Sequence, residues 1–202
     1  MKGSFVAIIF IIINLIAICI FMIVTSTSIK KNILKEEELS RECLNNLMDI
    51  YYEKNIASKN YYNAVSLIPR IDTYTLQSLS NYIERINTIE VDKTLIEKPL
   101  TFQEYQYIQA RIEENINKIN YIARNNPVLR TNQNYILALE QIRPIIEEEK
   151  KAIKLYNTHI TEYNKLTTIP PSSIIAGIIG KFPFLTFKTG TNIISQTSHI
   201  FQ

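Results

Sequence analysis

The residues that could support acid–base, nucleophilic or metal chemistry are few and scattered. The two histidines are His159, with Tyr156 three residues before it, and His199, with Gln196 in that position. The Glu-x-x-His pattern through which helical bundles hold di-iron centres is therefore absent. The sequence also has no His-Glu-x-x-His motif, no glycine-rich phosphate loop and no Cys-x-x-Cys pair. This inventory predicts a protein that is not an enzyme and that uses no cofactor or metal.

The two cysteines, Cys19 and Cys43, stand twenty-four residues apart, the first of them inside an apolar stretch. A disulfide would have to join a residue in lipid to one outside it, which the short reach of the bond forbids. We predict two buried thiols that pack as small apolar groups. Cys43 could act as a nucleophile only beside a base, and its neighbourhood in the sequence indicates none.

A charged run, Glu147–Lys151, contains three consecutive glutamates followed by two lysines. Glu147 and Lys151 have the i,i+4 spacing of a helical ion pair. The run predicts a solvated outer helix face and not a metal or acid–base site.

The overall charge excludes one class of partner. The chain has 22 Lys+Arg and 19 Asp+Glu, a net charge of +3, and no basic stripe interleaved with aromatic residues. We therefore expect no nucleic-acid partner. Four glycines and no tryptophan, with abundant Ile, Asn, Lys, Glu and Tyr, favour long helices over an α/β fold.

Residues 5–24 form an apolar stretch in which Asn14 is the only strongly polar member. Twenty helical residues rise about 30 Å, the thickness of the hydrocarbon core. The rival interpretation, a cleaved signal peptide, usually has an apolar region of only ~7–15 residues, so an anchor that contacts membrane lipid is favoured. Asn14 is either tolerated in the span or promotes self-association, which leaves a homo-oligomer open.

The basic residues that flank this stretch predict its orientation. Lys2 precedes it, whereas Lys30, Lys31, Lys35 and Arg41 follow it. Because cytoplasmic flanks are enriched in Lys and Arg, the bias favours an N-terminus outside and the domain in the cytoplasm. The extracytoplasmic alternative stays open.

Apolar residues recur every three or four positions in four later segments, which is the signature of amphipathic helices. One stripe follows Lys31, a second follows Pro69, a third follows Thr101 and the longest follows Asn132. The stripes comprise Leu39, Cys43, Leu47 and Ile50; Ile71, Leu76, Leu79, Ile83 and Ile86; Phe102, Tyr105, Ile108, Ile112, Ile116, Ile119 and Ala123; and Tyr135, Leu139, Ile142, Ile146, Ile153, Tyr156, Ile160 and Tyr163.

The stripes predict an all-α chain in which a transmembrane helix precedes an elongated antiparallel bundle of about four helical segments. We expect a flank at residues 1–4, the span at 5–24, the bundle at 29–188 and a polar tail at 189–202.

Local signals predict where these helices start, bend and stop. A break is expected at Thr25–Ser28, and loops are expected at Asp92–Leu100 and Asn125–Thr131. Thr101 followed by Glu104 has the spacing of a capping box at the start of the third helix. Pro144 removes one backbone donor inside the longest helix and predicts a kink.

The stretch from Pro127 to Tyr135, with the sequence PVLRTNQNY, resembles the Pro-x-Leu-Lys-x-Asn-x-Asn-Phe segment of the LemA family of bacterial membrane proteins. Tyr156-Asn157 and Tyr163-Asn164 resemble the repeated Tyr-Asn pairs of that family. Residues 169–180 are similar to its Phe-Pro-x-x-Ile-Ile-Ala-x-x-Gly-Phe ending, and Phe187 to its closing aromatic. The resemblance extends over nearly the whole chain and is specific from residue 125 to residue 187.

Some positions depart from the family pattern. Arg70 replaces Asn after Leu67-Ile68-Pro69, Ile146 and Ile153 replace Glu and Arg, Pro144 is unexpected, and residues 189–202 lack the family's last motif. These departures are compatible with a divergent paralogue that has a different partner.

The resemblance implies a single-pass protein of the bacterial cell membrane without established catalysis. Its motifs mark these candidate interaction or structural residues: Pro127, Leu129, Asn132, Asn134, Tyr135, Tyr156, Asn157, Tyr163, Asn164, Pro170, Ile174, Ala176, Gly180 and Phe187.

Each motif also has a structural interpretation, which we favour. Pro127 ends one helix, and Thr131 or Asn132 caps the next. The Tyr-Asn pairs make hydrogen bonds between helices. The apolar run 174–179 is too short to span a bilayer and tucks over the bundle end or lies on the membrane surface.

Two functions of different classes follow. The favoured hypothesis is a membrane-anchored, non-enzymatic helical scaffold that binds protein partners of unknown identity. The alternative is a ligand-binding or sensor bundle on the extracytoplasmic side.

Overall fold

A computed structural model of the chain describes residues 2–69, 71–92 and 94–188, and the side chains from residue 9 onwards. The predicted polar tail 189–202, with His199, lies outside the described residues, as does Arg70.

The described residues form α-helices joined by short loops and no strands, which confirms the all-α prediction. A single turn of 3-10 helix, Leu95–Glu97, lies in the connection after the second helix. The helices are α1 (Lys2–Ser66), α2 (Thr73–Ile86), α3 (Pro99–Arg124), α4 (Pro127–Thr131), α5 (Gln133–Thr168) and α6 (Ser172–Ile178).

Helix α1 is continuous over 65 residues, so the predicted break at Thr25–Ser28 is wrong. The hydroxyl of Thr27 donates to the Ile23 carbonyl at 2.8 Å, within the same helix. A hydroxyl satisfied in this way leaves the helix intact. The amide of Asn14 likewise donates to the Phe10 carbonyl at 2.8 Å, which explains how this polar residue fits in the apolar stretch.

By its length and composition, the first part of α1 could cross a membrane. Among the described residues, one helix meets this description. Its apolar side chains are uncovered: Phe10 is 67% and Phe21 71% exposed. Cys19 is exposed on this segment and Cys43 is half-buried, and neither forms a disulfide. The prediction that both thiols are buried is therefore wrong, although burial still raises the pKa of Cys43, assisted by the charge of Glu42.

The chain folds as two compact units. Unit 1 comprises the described residues of Met1–Ser40 and His159–Pro183, and unit 2 those of Arg41–Thr158 and Phe184–Gln202. Helices α1 and α5 each contribute to both units.

Unit 1 joins the first part of α1 to the end of α5 and to α6. The imidazole Nδ1 of His159 lies 3.1 Å from the Glu36 carboxylate, and the Lys181 ammonium lies 2.6 Å from that of Glu37. Within α6 only Ala176 is fully buried. After the helix, Gly180 has φ +68°, a left-handed conformation that glycine adopts without strain.

Unit 2 holds the large apolar core that the sequence periodicity predicts. All seven residues of the α3 stripe are buried, from Phe102 to Ala123. In α5, Tyr135, Ile142, Ile153 and Tyr156 are buried and Leu139 and Ile146 half-buried. The α1 side of the core is formed by Leu44, Leu47, Ile50, Tyr51, Tyr61 and Val65, and the α2 side by Leu79, Ile83 and Ile86.

Helix starts differ from the prediction in two places. Helix α3 begins at Pro99 with Lys98 before it, so Thr101 is not its cap. Proline suits the first helical position because its missing N–H would have no partner there. The expected loop at Asn125–Thr131 contains α4, whose first amides donate to the Asn126 side chain.

Two other local predictions have different outcomes. Asn132 accepts from the backbone amide of Tyr135 at 3.0 Å, which confirms it as the cap of α5. Helix α5 runs through Pro144 without ending, and the kink there stays a prediction.

We expect Asn132→Ala to lower the free energy of unfolding by about 1 kcal/mol, because it leaves an amide in the first turn of α5 without its acceptor. Thermal unfolding of the full chain in detergent, followed by circular dichroism, measures the loss. Asn134→Ala is the matched control, since Asn134 is exposed and makes no side-chain hydrogen bond among the described residues. Equal losses in both variants would contradict the capping role.

Candidate functional site

The interior of unit 2 contains an ion pair. The ammonium of Lys54 in α1 lies 2.5 Å from the carboxylate of Glu149 in α5. Lys54 is 0% and Glu149 4% exposed, so both charges are buried. The predicted solvated face at Glu147–Lys151 is thus wrong at Glu149, because Lys54 arrives from another helix to neutralise it. Glu147 pairs with Lys150 at 2.9 Å and not with Lys151.

Burial controls the protonation of this cluster. It raises the pKa of Glu149, and the neighbouring Lys54 charge opposes that rise. Burial likewise raises the pKa of Tyr51 well above its usual value, with the Glu149 charge adding to the effect, so the phenol stays protonated. The Lys54 ammonium also lies 5.5 Å from the centre of the Tyr51 ring, within cation–π distance.

A small cavity of about 250 Å³ lies beside the pair, and Tyr51, Gln109, Glu149 and Phe187 are among the residues that line it. The Gln109 amide donates to Asn55 at 3.2 Å, but its oxygen is buried without a hydrogen-bond partner among the described residues. A buried acceptor without a partner costs about 1–3 kcal/mol. A water molecule or a small donor in this cavity would remove that cost.

A second polar cluster joins three helices of unit 2. The hydroxyls of Tyr61 in α1 and Tyr135 in α5 both donate to the side-chain oxygen of Asn120 in α3, at 2.7 and 3.1 Å. Burial raises the pKa of both tyrosines, which keeps them as donors. Tyr135, one of the predicted motif residues, therefore has a structural partner.

Next to this cluster lies an open groove of about 640 Å³, which is lined by residues of α3, α4 and α5. Arg124, Arg130 and Arg143 line it, one from each helix, and none of them makes a hydrogen bond or ion pair with another described residue. The charges of Arg143 and Arg124 both act on the Tyr135 hydroxyl, where they oppose the rise of its pKa. Both guanidinium groups therefore lie within electrostatic range of this hydroxyl.

Other charges in the groove reduce this positive excess without removing it. Lys150, Glu113 and Glu147 also line it. The positive groups thus outnumber the negative ones by four to two, and the groove suits an anion.

The predicted motif residues of unit 2 are partly brought together. The Asn157 amide donates to the Phe187 carbonyl at 2.8 Å and accepts from the Phe187 amide at 2.8 Å. The Tyr156 hydroxyl donates to the Leu185 carbonyl at 2.9 Å. These three bonds do not join two helices; through them Tyr156 and Asn157 hold the segment that follows Pro183.

The other motif residues are dispersed. Leu129 is a buried residue of α4, whereas Pro127 and Asn134 are exposed. In unit 1 Tyr163 is buried, Asn164 half-buried, and Pro170 and Ile174 exposed. The motif residues are therefore divided between the two units.

The residues first considered for chemistry belong to different units. His159 contacts Glu36 in unit 1, and Cys43 belongs to unit 2. Within the part of the chain that the structure describes, no group of three or more His, Cys, Asp or Glu side chains could hold a metal ion.

Sequence reasoning missed Lys54, Glu149 and the three arginines of the groove. A signal for the buried pair existed: Lys54 stands seven residues from Leu47 and from Tyr61, on the apolar face of α1. Glu149 lies midway between Ile146 and Ile153, where the stripe has a spacing of seven. No comparable signal marks the arginines, because they come from three separate segments.

Comparison with known proteins gives one family. The sequence model of the LemA family matches residues 53–199, more than half of the chain. No curated protein matches significantly.

We expect Lys54→Met to lower the free energy of unfolding by about 3–5 kcal/mol, because Glu149 stays buried without its counter-ion. The loss should grow with pH. Removal of Lys54 raises the pKa of Glu149 further, so the folded variant keeps a proton that the unfolded chain releases, and stability falls as pH rises from the ordinary glutamate range through the raised pKa. Denaturant unfolding of the full chain in detergent from pH 5 to pH 8 measures this.

Two further variants complete this experiment. Lys54→Met combined with Glu149→Leu removes both charges and should recover most of the stability. Glu147→Gln, at an exposed neighbour of Glu149, should have little effect at any pH. If Lys54→Met costs no more than Glu147→Gln at pH 8, the pair does not stabilise the fold.

Proposed function

Because the chain belongs to the LemA family, we propose that it is a single-pass membrane protein whose helical region is a non-enzymatic scaffold that binds other proteins. The membrane is the bacterial cell membrane, as the family resemblance implies.

The observation that carries this proposal is the change of character along α1. From Ile9 to Val24 its large apolar side chains are exposed on all sides, which is stable in lipid and not in water. From Ile33 onwards one face is buried in protein and the other carries charged residues. One uninterrupted helix thus supplies both an anchor and a part of the helical core.

We further propose that unit 2 is an antiparallel bundle. Between α2 and α3, Arg85 pairs with Glu104 and Ser78 accepts a hydrogen bond from Asn115. The contacts therefore move back along α2 as they move forward along α3. Helices α1 and α5 meet in the same sense, because Lys54 faces Glu149 and the Tyr61 ring lies 6.1 Å from that of Tyr135. Opposed numbering across each pair supports antiparallel packing.

The orientation that we propose has the N-terminus outside and the helical units in the cytoplasm. It is supported by the excess of basic residues after the span, of which Lys30 and Lys31 are exposed.

One variant tests both anchoring and orientation. In a background with Cys19→Ser and Cys43→Ser, Leu155→Cys places a single thiol at a half-exposed position of α5. We expect the chain to stay in the membrane pellet after alkaline carbonate washing. A membrane-impermeant maleimide should label it in broken cells and not in whole cells. Labelling in whole cells would reverse the orientation, and release by carbonate would exclude the anchor.

The same introduced cysteine tests the scaffold role when it carries a photoactivatable crosslinker. A scaffold should give discrete crosslinked products with other proteins, and a His159→Asn version should give the same products. Products that contain this chain alone, or loss of all products in the His159→Asn version, would contradict the proposal.

A second function is favoured by the arginine-lined groove. Its volume lies in the range of small-molecule sites, and guanidinium groups match carboxylate and phosphate oxyanions. We propose as the alternative that unit 2 binds a small oxyanion ligand, as a sensor would. Maleimide labelling of the Leu155→Cys variant in whole cells would put this groove on the extracytoplasmic side.

We expect citrate or pyrophosphate to raise the melting temperature of the full chain in detergent. Arg143→Ala should weaken binding about tenfold or more, because it removes one charge-assisted contact. Lys151→Ala is the control, since it removes an exposed cation of α5 that does not line the groove. Equal weakening in both variants would indicate general charge attraction and exclude the site.

A further inference from the structure

The turn between α5 and α6 in unit 1 carries exposed large apolar side chains. Ile169 is 55% exposed and Ile174 62% exposed, although aliphatic residues of this size are usually covered. Residues 169–174 form the tip of this turn. This surface lacks a cover among the described residues.

The position of the tip along α1 follows from contacts inside unit 1. His159 lies beside Glu36, which is twelve residues, or about 18 Å of helix rise, beyond Val24. From His159 to Thr168, α5 rises about 14 Å. If α5 runs back along α1, the tip lies within about one helical turn of Val24.

Burial along α1 supports that direction. Every described side chain from Ile9 to Val24 is exposed, whereas Thr25, Ser26 and Ile29 are half-buried. In unit 1 the segments available to cover them come from His159–Pro183. The cover of α1 therefore begins where the apolar span ends.

A bilayer has a headgroup region about 5–8 Å deep outside its hydrocarbon core, which is where the tip would lie. Interfacial segments combine bulky apolar residues with nearby cations. Lys30 and Lys31 are both exposed, less than two helical turns beyond Val24, and would face anionic headgroups.

We propose that the tip inserts Ile169 and Ile174 into the interfacial region of the bilayer and forms a second membrane contact beside the span. This inference rests on the proposed anchoring through α1. The occupant of the exposed apolar surface is thus lipid.

The absence of tryptophan from the sequence allows a direct measurement of depth. Ile169→Trp and Ile174→Trp each introduce a single fluorophore at the tip. Ile16→Trp does so within the span. Leu34→Trp is the matched control: Leu34 is an exposed apolar residue of α1, about 15 Å beyond Val24. The full chains are reconstituted in vesicles of brominated phosphatidylcholine and phosphatidylglycerol, and the loss of tryptophan emission is measured.

We expect strong quenching at Ile16→Trp, a clear loss of emission at both tip positions, and little loss at Leu34→Trp. Quenching at Ile16→Trp with tip values no larger than that of Leu34→Trp would overturn the tip contact and leave the anchor in place. Absence of quenching at Ile16→Trp would overturn the anchor and, with it, this inference.

Discussion

In unit 2, the buried ion pair between Lys54 and Glu149 constrains how α1 and α5 pack. Removing two charges from water costs several kcal/mol for each ion, and only a close partner offsets that cost. Both residues stand on the apolar faces of their helices, so neither can turn to solvent while its neighbours stay packed. A shift of α1 along α5 by one turn would leave two uncompensated charges in the core. We therefore expect the pair to favour one register of these two helices.

The surroundings of this pair are completed by a segment distant in sequence. Phe187 packs its ring 4.6 Å from that of Phe102 and 5.1 Å from that of Tyr156, and it also lines the cavity next to Glu149. Asn157 fixes the Phe187 backbone through two hydrogen bonds. The apolar cover beside the ion pair thus depends on hydrogen bonds from Asn157 to the Phe187 backbone, which gives a physical reason for the Tyr-Asn pair and the closing aromatic to occur together.

The helices and most of their buried faces could be predicted because amphipathic periodicity is a local property, as the fully buried α3 stripe demonstrates. The buried pair could not, since a lysine on one stripe and a glutamate on another become interpretable only when the two helices are known to meet. Thr101 failed as a cap because Pro99 already supplies a suitable first residue. The arginine groove required the relative placement of three helices, which no spacing within one of them contains.

The first part of α1 has apolar side chains on all sides, and the later part has them on one face only. The helix continues between the two parts without a break. The residues at this change, Thr25–Ser28, are small and polar, which is typical of a linker, but Thr27 bonds to the carbonyl of Ile23. A hydroxyl that is satisfied within its own helix needs no further hydrogen-bond partner. Because α1 continues through these residues, the exposed apolar segment and the part of α1 that joins the core are one element.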